Sequence, residues 1–421
     1  MNEQYSLVNG IDLYSLTNPN LKSFCLSLYI RSGSLFEDFS DNGISHLFEH
    51  VVFRNLKRKY NNFYELLAMH GIDLCGCTYK EFIRFTVNAP YDEFNFAVEI
   101  LCGLFDEIQM SSDEFNKEKK RIKAEIREEN ERSTLDYFFN RIIWKNSEAE
   151  KTVLGYCRVI DGISVKRIND FRRKVLSRGN CFVYVTGNVS PEDLEELSRN
   201  VRKLDICQDN PGFTNTVTVN EDFFHRSGKV QVKNGYWHYL KIGFDIDCSK
   251  YPGGVYDLLY AVLFKGDKAL VHNYLSEENP ILYSYDSAFE QYDNIGNMNF
   301  SFEIDKNKLE DAVRIIVELL QAVKAGRFNF DANLKSEMCN AERERDNPDD
   351  LNWSMAYYNH VLKTRPIDYS DDCYGRFNVT KEQVIHAAKE IFRSSNMTFS
   401  IKGDKKKINT NVVENILKTL D

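Results

Sequence analysis

Asn42-Gly43-Ile44-Ser45-His46-Leu47-Phe48-Glu49-His50-Val51-Val52-Phe53 holds the residues of a metal site and of a general base within five positions. If the segment is helical, His46 and His50 stand at i and i+4, so both imidazoles leave one face and can share a single ion, with Glu49 beside them. The order H-x-x-E-H inverts the commoner H-E-x-x-H zinc protease helix and is the inverzincin arrangement. Two histidines and a glutamate also suit a solvated helix face. With eight His in 421 residues, however, a chance match is on the order of one in a hundred. Val51, Val52 and Phe53 continue the segment as an apolar one, where unpaired imidazoles are costly. Zinc is the expected ligand.

A chain of 421 residues with 43% hydrophobic content can bury substantial cores and is long enough for two or three domains. The net charge of -9 disfavours a nucleic-acid partner, which needs a basic face. The run Lys405, Lys406, Lys407 reads as a solvated turn. Met1 to Tyr14 lacks a basic segment followed by an apolar one, and no stretch approaches the eighteen or so apolar residues of a membrane span. Neither export nor membrane insertion is expected. The ten cysteines (Cys25, Cys75, Cys77, Cys102, Cys157, Cys181, Cys207, Cys248, Cys339 and Cys373) are scattered, mostly in apolar runs. They read as reduced, buried thiols of a cytoplasmic protein.

The sequence also repeats itself. Pairing Ser164 with Thr380, Ile168 with Val384, Asn180 with Asn396 and Gly187 with Gly403 requires one constant offset of 216 and no gap. In each copy a Ser or Thr opens an amphipathic helix, an Asn interrupts it, and an apolar strand ends at Gly. Two homologous domains of about two hundred residues follow. They are expected at 1–207 and 213–421, joined near Cys207-Gln208-Asp209-Asn210-Pro211-Gly212. Strands are expected at Ser23–Ile30 and Ile83–Val87, and helices at Asn61–Met69 and Phe94–Phe105. Their mixture favours α+β over a doubly wound parallel sheet.

A catalytic zinc usually takes three protein ligands, so the motif needs another His, Asp or Glu. The acidic helix from about Ser111 to Glu131 is the place to find it. Ser111 and Glu114 form a capping box, and Phe115, Ile122 and Ile126 form an apolar stripe. Glu118 and Glu125 border that stripe, whereas acids such as Glu128, Glu129 and Glu131 mostly solvate the helix. Geometry alone leaves Glu118, Glu125 and Glu129 open.

Arg31-Ser32-Gly33-Ser34, the segment Asn42 to Phe53, and the later Glu118 and Glu125 together resemble the pitrilysin/insulinase family, which includes the mitochondrial processing peptidases. The resemblance covers most of the chain and is strongest in its first half. It implies paired α/β-sandwich domains of the LuxS and processing-peptidase type. It also implies a distal glutamate some seventy-five residues beyond the motif as third ligand, with another seven residues earlier supporting it. On that basis His46, His50 and Glu125 hold Zn2+, one per chain, Glu49 is the general base, and Glu118 orients the ligands. The implied activity is hydrolysis of short or unfolded peptides. Four such domains enclosing a chamber imply a dimer, either of this chain or with a related subunit lacking H-x-x-E-H.

The departures from the family pattern are specific. Family members commonly carry Asn-Ala-x-Thr on the strand that receives substrate, and here the matching segment is Cys75-Gly76-Cys77-Thr78, which makes Cys75 and Thr78 the expected substrate contacts. His70 with Cys75 and Cys77 is a rival metal cluster, although a lone C-x-C lacks a second pair and suits buried thiols better. The family often places an Arg and a Tyr seven apart to stabilise the oxyanion. The segment Leu275 to Tyr283 matches with Ser276 in place of Arg, leaving Tyr283 as a donor or as a core or rim tyrosine beside Tyr285 in an aromatic strand. The alternatives to a peptidase are a partner-binding or peptide-binding subunit of a peptidase complex, and a non-proteolytic zinc hydrolase.

Overall fold

The computed structural model describes residues 3–60, 62–132, 134–207, 217–219, 221–362 and 377–421. Cys373, the side chain of Glu131 and most of the 207–212 join lie outside them. The chain forms two compact units, each assembled from separate stretches of sequence. The first comprises Met1–Glu131, Lys151–Thr216 and Glu342–Asp372, the second Arg132–Glu150, Val217–Ala341 and Cys373–Asp421.

The first unit is built on a six-stranded sheet of β1 (Gln4–Val8), β2 (Ile11–Thr17), β3 (Ser23–Arg31), β4 (Asp73–Thr78), β5 (Phe82–Pro90) and β6 (Cys181–Gly187). Their order is β1-β2-β6-β3-β5-β4, with only the β2–β6 pair parallel. The second unit carries β7 (Val230–Asn234), β8 (His238–Asp247), β9 (Asp286–Tyr292), β10 (Ile295–Ile304) and β11 (Met397–Gly403) in the order β7-β11-β8-β10-β9, with only β7–β11 parallel. Apart from β1, the two sheets have the same order and the same strand directions. β6 and β11 are related by the 216-residue offset of the repeat, and both end on a glycine. A Cβ on Gly187 would stand 2.5 Å from the Ser23 carbonyl oxygen, and one on Gly403 would stand 2.6 Å from the His238 ring.

Strand alternation explains how each sheet is covered. In β3, Phe24, Leu26, Leu28 and Ile30 point into the first unit's apolar core. Cys25, Ser27 and Tyr29 point the other way, towards a helix at Pro348–Ala356. There the Tyr29 hydroxyl donates to Asn352 Oδ1 at 3.0 Å, and Arg84 Nη2 donates to Asp349 Oδ1 at 2.6 Å. In β8, Leu240, Ile242, Phe244 and Ile246 enter the second core. Its opposite face meets a helix at Thr134–Ile143, where a Cβ on Gly243 would come within 2.7 Å of the Phe139 ring. Each sheet therefore takes one covering helix from the other half of the sequence. Both faces of the central strands are buried, yet β8 and β10 alternate in sequence, because Lys241, Asp245, Asn297 and Asn299 are buried polar residues on the second face.

The nine described cysteines are free, but only Cys25, Cys181 and Cys248 are buried; Cys75, Cys207 and Cys339 are exposed. This corrects the expectation of buried thiols. Cys25 and Cys181 sit on the interior strands β3 and β6, whereas Cys75 lies on the edge strand β4 and Cys339 on the outer side of a helix. Among the described residues no helix is long and apolar enough to cross a membrane.

Candidate metal centre

The H-x-x-E-H segment forms a helix over Ile44–Lys59. Ile44, Leu47, Phe48, Val51, Val52 and Leu56 recur at helical spacing, and each is at most 1% exposed. The stripe fixes the helix against the sheet and leaves His46 and His50 on an adjacent face. At its start, Gly43 has φ +99°, a conformation that favours glycine. The buried Glu37 carboxylate accepts from Gly43 N at 2.7 Å, Ser45 N at 2.9 Å and Asn42 Nδ2 at 2.8 Å. It satisfies N–H groups that a helix start leaves unpaired and places negative charge at the positive end of the dipole. Glu37 gave no signal in the sequence, where a charged residue beside Asp38 and Asp41 reads as solvated.

The acidic helix spans Ser112–Arg132. Its expected capping box is present: Ser111 N and Oγ both donate to Glu114 Oε2, at 2.9 and 2.8 Å, and Glu114 N donates to Ser111 Oγ at 3.3 Å. Phe115, Ile122 and Ile126 are buried. Anchoring that stripe turns Glu118 and Glu125 towards the motif helix.

The two helices bring His46, His50 and Glu125 together, with one ligand atom from each lying within 4.8 Å of the others. Glu125 Oε2 is 3.7 Å from His46 Nε2 and 3.6 Å from His50 Nε2. Two ligands about 2.0–2.1 Å from one tetrahedral zinc are separated by about 3.3 Å, so these distances fit a shared ion within a few tenths of an ångström. Two imidazoles and one carboxylate also suit zinc chemically, and they leave a tetrahedral position for water. Burial and the neighbouring His50 lower the His46 pKa to about 3, so its imidazole is neutral, as a ligand requires. Burial pushes His50 down as well, but the facing Glu118, Glu49 and Glu125 carboxylates outweigh it and hold His50 above its ordinary value.

Glu118 is 2% exposed. Its Oε2 lies 3.8 Å from His50 Nδ1, while its Oε1 accepts from Arg54 Nε and faces Arg121 at 3.5 Å. Burial alone would raise its pKa, but His50 and the two guanidinium groups reverse this and keep Glu118 an anion. Arg54, one turn beyond His50 on the same helix, is thus an anchor that the sequence did not single out.

Glu49 is not one of the three clustered residues. The Thr78 hydroxyl on β4 donates to Glu49 Oε2 at 3.0 Å, and burial raises the Glu49 pKa against the opposing effects of His50 and Thr78. Gly76 lies behind it, where a Cβ would stand 2.5 Å from Phe53 Cε2 and 3.1 Å from Glu49 Cγ. Cys75 is exposed, on the face of β4 opposite Gly76 and Thr78. His70 is held by Glu93 at 2.7 Å, and among the described residues it shares no metal group with Cys75 and Cys77. In the second unit Tyr283 is 98% exposed and lies before β9 rather than within a strand, so it is neither a core nor a strand tyrosine.

The profile described as Insulinase (Peptidase family M16) matches residues 14–155, and that described as Peptidase M16 inactive domain matches residues 162–332. The chain is 20% identical over 332 residues to the uncharacterized zinc protease YmxG of Bacillus subtilis, spanning 77% of this chain and 79% of that protein. It is 25% identical over 196 residues to the mitochondrial-processing peptidase subunit beta of Rattus norvegicus, spanning 46% of this chain but only 40% of that subunit. Among solved structures, a protease from Helicobacter pylori superposes with a TM-score of 0.81 at 17% identity, over 96% of this chain and 99% of that one, which is a likeness of fold. The two profiles together match most of the chain, and the chain belongs to the insulinase family of peptidases, family M16.

Proposed function

We propose that this chain is a zinc-dependent peptidase acting on short or unfolded peptides, with Glu49 as its general base. The placement of Glu49 carries the reading. It is a buried carboxylate beside the ligand cluster but outside it, oriented by Thr78 and raised in pKa by burial. A purely structural metal site has no use for such a group. His46, His50 and Glu125 would hold the zinc, which when bound supplies Lewis acidity to a peptide carbonyl and to a water. Glu49 takes the proton from the attacking water and passes it to the leaving amine. Glu118, held by Arg54, keeps His50 oriented towards the ion.

β4 pairs with β5, and among the described strands nothing pairs with its outer edge. That edge suits an extended peptide added as a further strand, with Cys75 and Thr78 along it. Tyr283, or an Arg and a Tyr from a partner, would donate to the oxyanion, because Ser276 occupies the place of the family arginine. This favours a dimer, homomeric or with a related subunit lacking the motif, and the rat relative is itself named as a subunit. The free thiols suit a reducing, cytoplasmic setting.

The test is Glu49→Gln. The variant should keep about one zinc per chain and lose nearly all peptide hydrolysis; undiminished turnover, with contaminating proteases excluded, would rule the mechanism out. Ser276 favours a second reading, a peptide-binding subunit with little activity of its own. That reading requires the wild-type chain to bind zinc and peptide yet to hydrolyse nothing, alone or mixed with related subunits.

A further inference from the structure

Cys75 and Cys77 are two residues apart on β4, so their side chains leave the same face of the strand. Their sulfur atoms are 3.9 Å apart; Cys75 is exposed and Cys77 half-buried. Gly76 and Thr78 point to the opposite face, towards Phe53 and Glu49. The pair is therefore a preformed dithiol on the face of the sheet that carries Arg84 and Tyr29, at its edge, where Cys75 is open to solvent and Cys77 also bonds Tyr79; it is separate from the His46, His50 and Glu125 cluster.

We propose that Cys75 and Cys77 form a second metal site, a dithiolate chelate for a soft divalent cation of the zinc and cadmium class. The sulfur spacing selects this chemistry. Two thiolates at about 2.3 Å from one tetrahedral zinc are about 3.8 Å apart, so a cation enters with little movement of either side chain. A disulfide instead needs sulfurs about 2.05 Å apart and Cα atoms within about 6.8 Å, the upper limit that two residues of extended strand span. Oxidation would have to draw the sulfurs together from 3.9 Å with the Cα atoms near the upper end of the allowed range, whereas chelation accepts the spacing as it stands. On binding, each thiol loses its proton to solvent and two metal–sulfur bonds form, with no change of oxidation state. Asp73, on the same face one alternation earlier, is an exposed carboxylate able to swing in as a third ligand, and waters complete the shell.

The site itself does not depend on the peptidase reading, but its consequence does. A cation seated on β4 places charge and bulk where an extended substrate would be added, so occupancy of the dithiol should inhibit hydrolysis.

Cadmium added to the zinc-loaded, fully reduced protein provides the probe, because thiolate ligation produces an ultraviolet sulfur-to-cadmium charge-transfer band and the catalytic ligand set contains no sulfur. The wild type should develop the band at one equivalent. Cys77→Ala and Cys75→Ser should each weaken cadmium binding more than tenfold, while Cys339→Ala, which removes an exposed thiol of the second unit, should leave it unchanged. Melting curves and zinc content establish that each variant is folded. No band in the wild type, or a band of equal strength in folded Cys77→Ala, overturns the proposal. The band is read without any turnover, so failure of the Glu49 mechanism would leave this result intact, and the reverse.

Discussion

Substituting Gly76 with alanine adds a single methyl where the family pattern carries one, yet here it should be damaging. The added Cβ would stand 2.5 Å from Phe53 Cε2, 2.9 Å from Phe53 Cζ and 3.1 Å from Glu49 Cγ. Ordinary carbon contacts begin near about 3.5 Å, so the ring or the strand must yield by about 1 Å. Phe53 cannot simply turn aside, because its ring packs 5.8 Å from that of Phe85, which is 1% exposed in the core beneath it. Overpacking of this kind costs about 1–3 kcal/mol, which for a unit of this size lowers Tm by about 2–12 °C. The strain also falls on Glu49, and a misplacement of about 1 Å at a reacting group can cost about a hundredfold in rate. Calorimetry together with a fluorogenic-peptide assay at matched zinc content would measure both effects. Gly76→Ala should lose stability and kcat together, and Phe53→Leu in the same chain should recover part of each. An alanine variant that melts and turns over like the wild type would refute the reasoning, since it would mean that the ring yields freely.

Removing the charge of Glu118 with Glu118→Gln should weaken zinc affinity or kcat by about 10 to 100-fold, because Arg54 and His50 then lose their shared anion; a metal-buffer titration matching the wild type would refute that role. In metal-free protein, folded His46 has a pKa of about 3 against an ordinary value of 6.5. The unfolded chain therefore takes up that proton first, and the His46 contribution to stability is intact above about pH 6.5 and lost as pH falls towards 3, by up to about 1.4 kcal/mol per pH unit. His50, shifted upward, acts in the opposite sense: its contribution is complete below its ordinary pKa and fades only as pH rises through its raised one. Urea unfolding of the metal-free protein at several pH values should show the acid-side slope, and His46→Gln should abolish it; an unchanged slope in that variant contradicts the assignment. Tyr283→Phe should leave Tm unchanged, because the side chain is 98% exposed, while lowering kcat by up to about a hundredfold if the hydroxyl meets the oxyanion. Equal kcat in the presence of partner subunit would remove Tyr283 from the mechanism.

Where local chemistry and tertiary environment agree, the sequence is readable. The motif helix follows from its spacing of His and apolar residues, the acidic helix starts at its capping box, and the 216-residue repeat foreshadows the two matching sheets. Glu37 was opaque for the opposite reason: an acid between polar neighbours gives no sign that it will be buried under a helix terminus. The edge strand Asp73–Thr78 was placed only by resemblance, since Asp73, Cys75, Gly76, Cys77 and Thr78 give it almost no apolar alternation. The exchange of covering helices was equally invisible. An amphipathic pattern in Thr134–Ile143 says that one face will be buried, not which sheet will bury it.

That exchange constrains how the molecule is made. The last strand of the first sheet ends at Gly187, but its covering helix begins at Pro348, about 160 residues later. At the ribosome's usual pace of about 5–20 residues per second, the completed sheet waits on the order of ten to thirty seconds for Asn352 and Asp349 to arrive. Throughout that interval the nascent sheet presents a bare face, and a polypeptide cut between the two repeats would present it permanently. Expression of the first repeat alone therefore invites aggregation, whereas supplying the missing helix in trans as a peptide offers a way to rescue it.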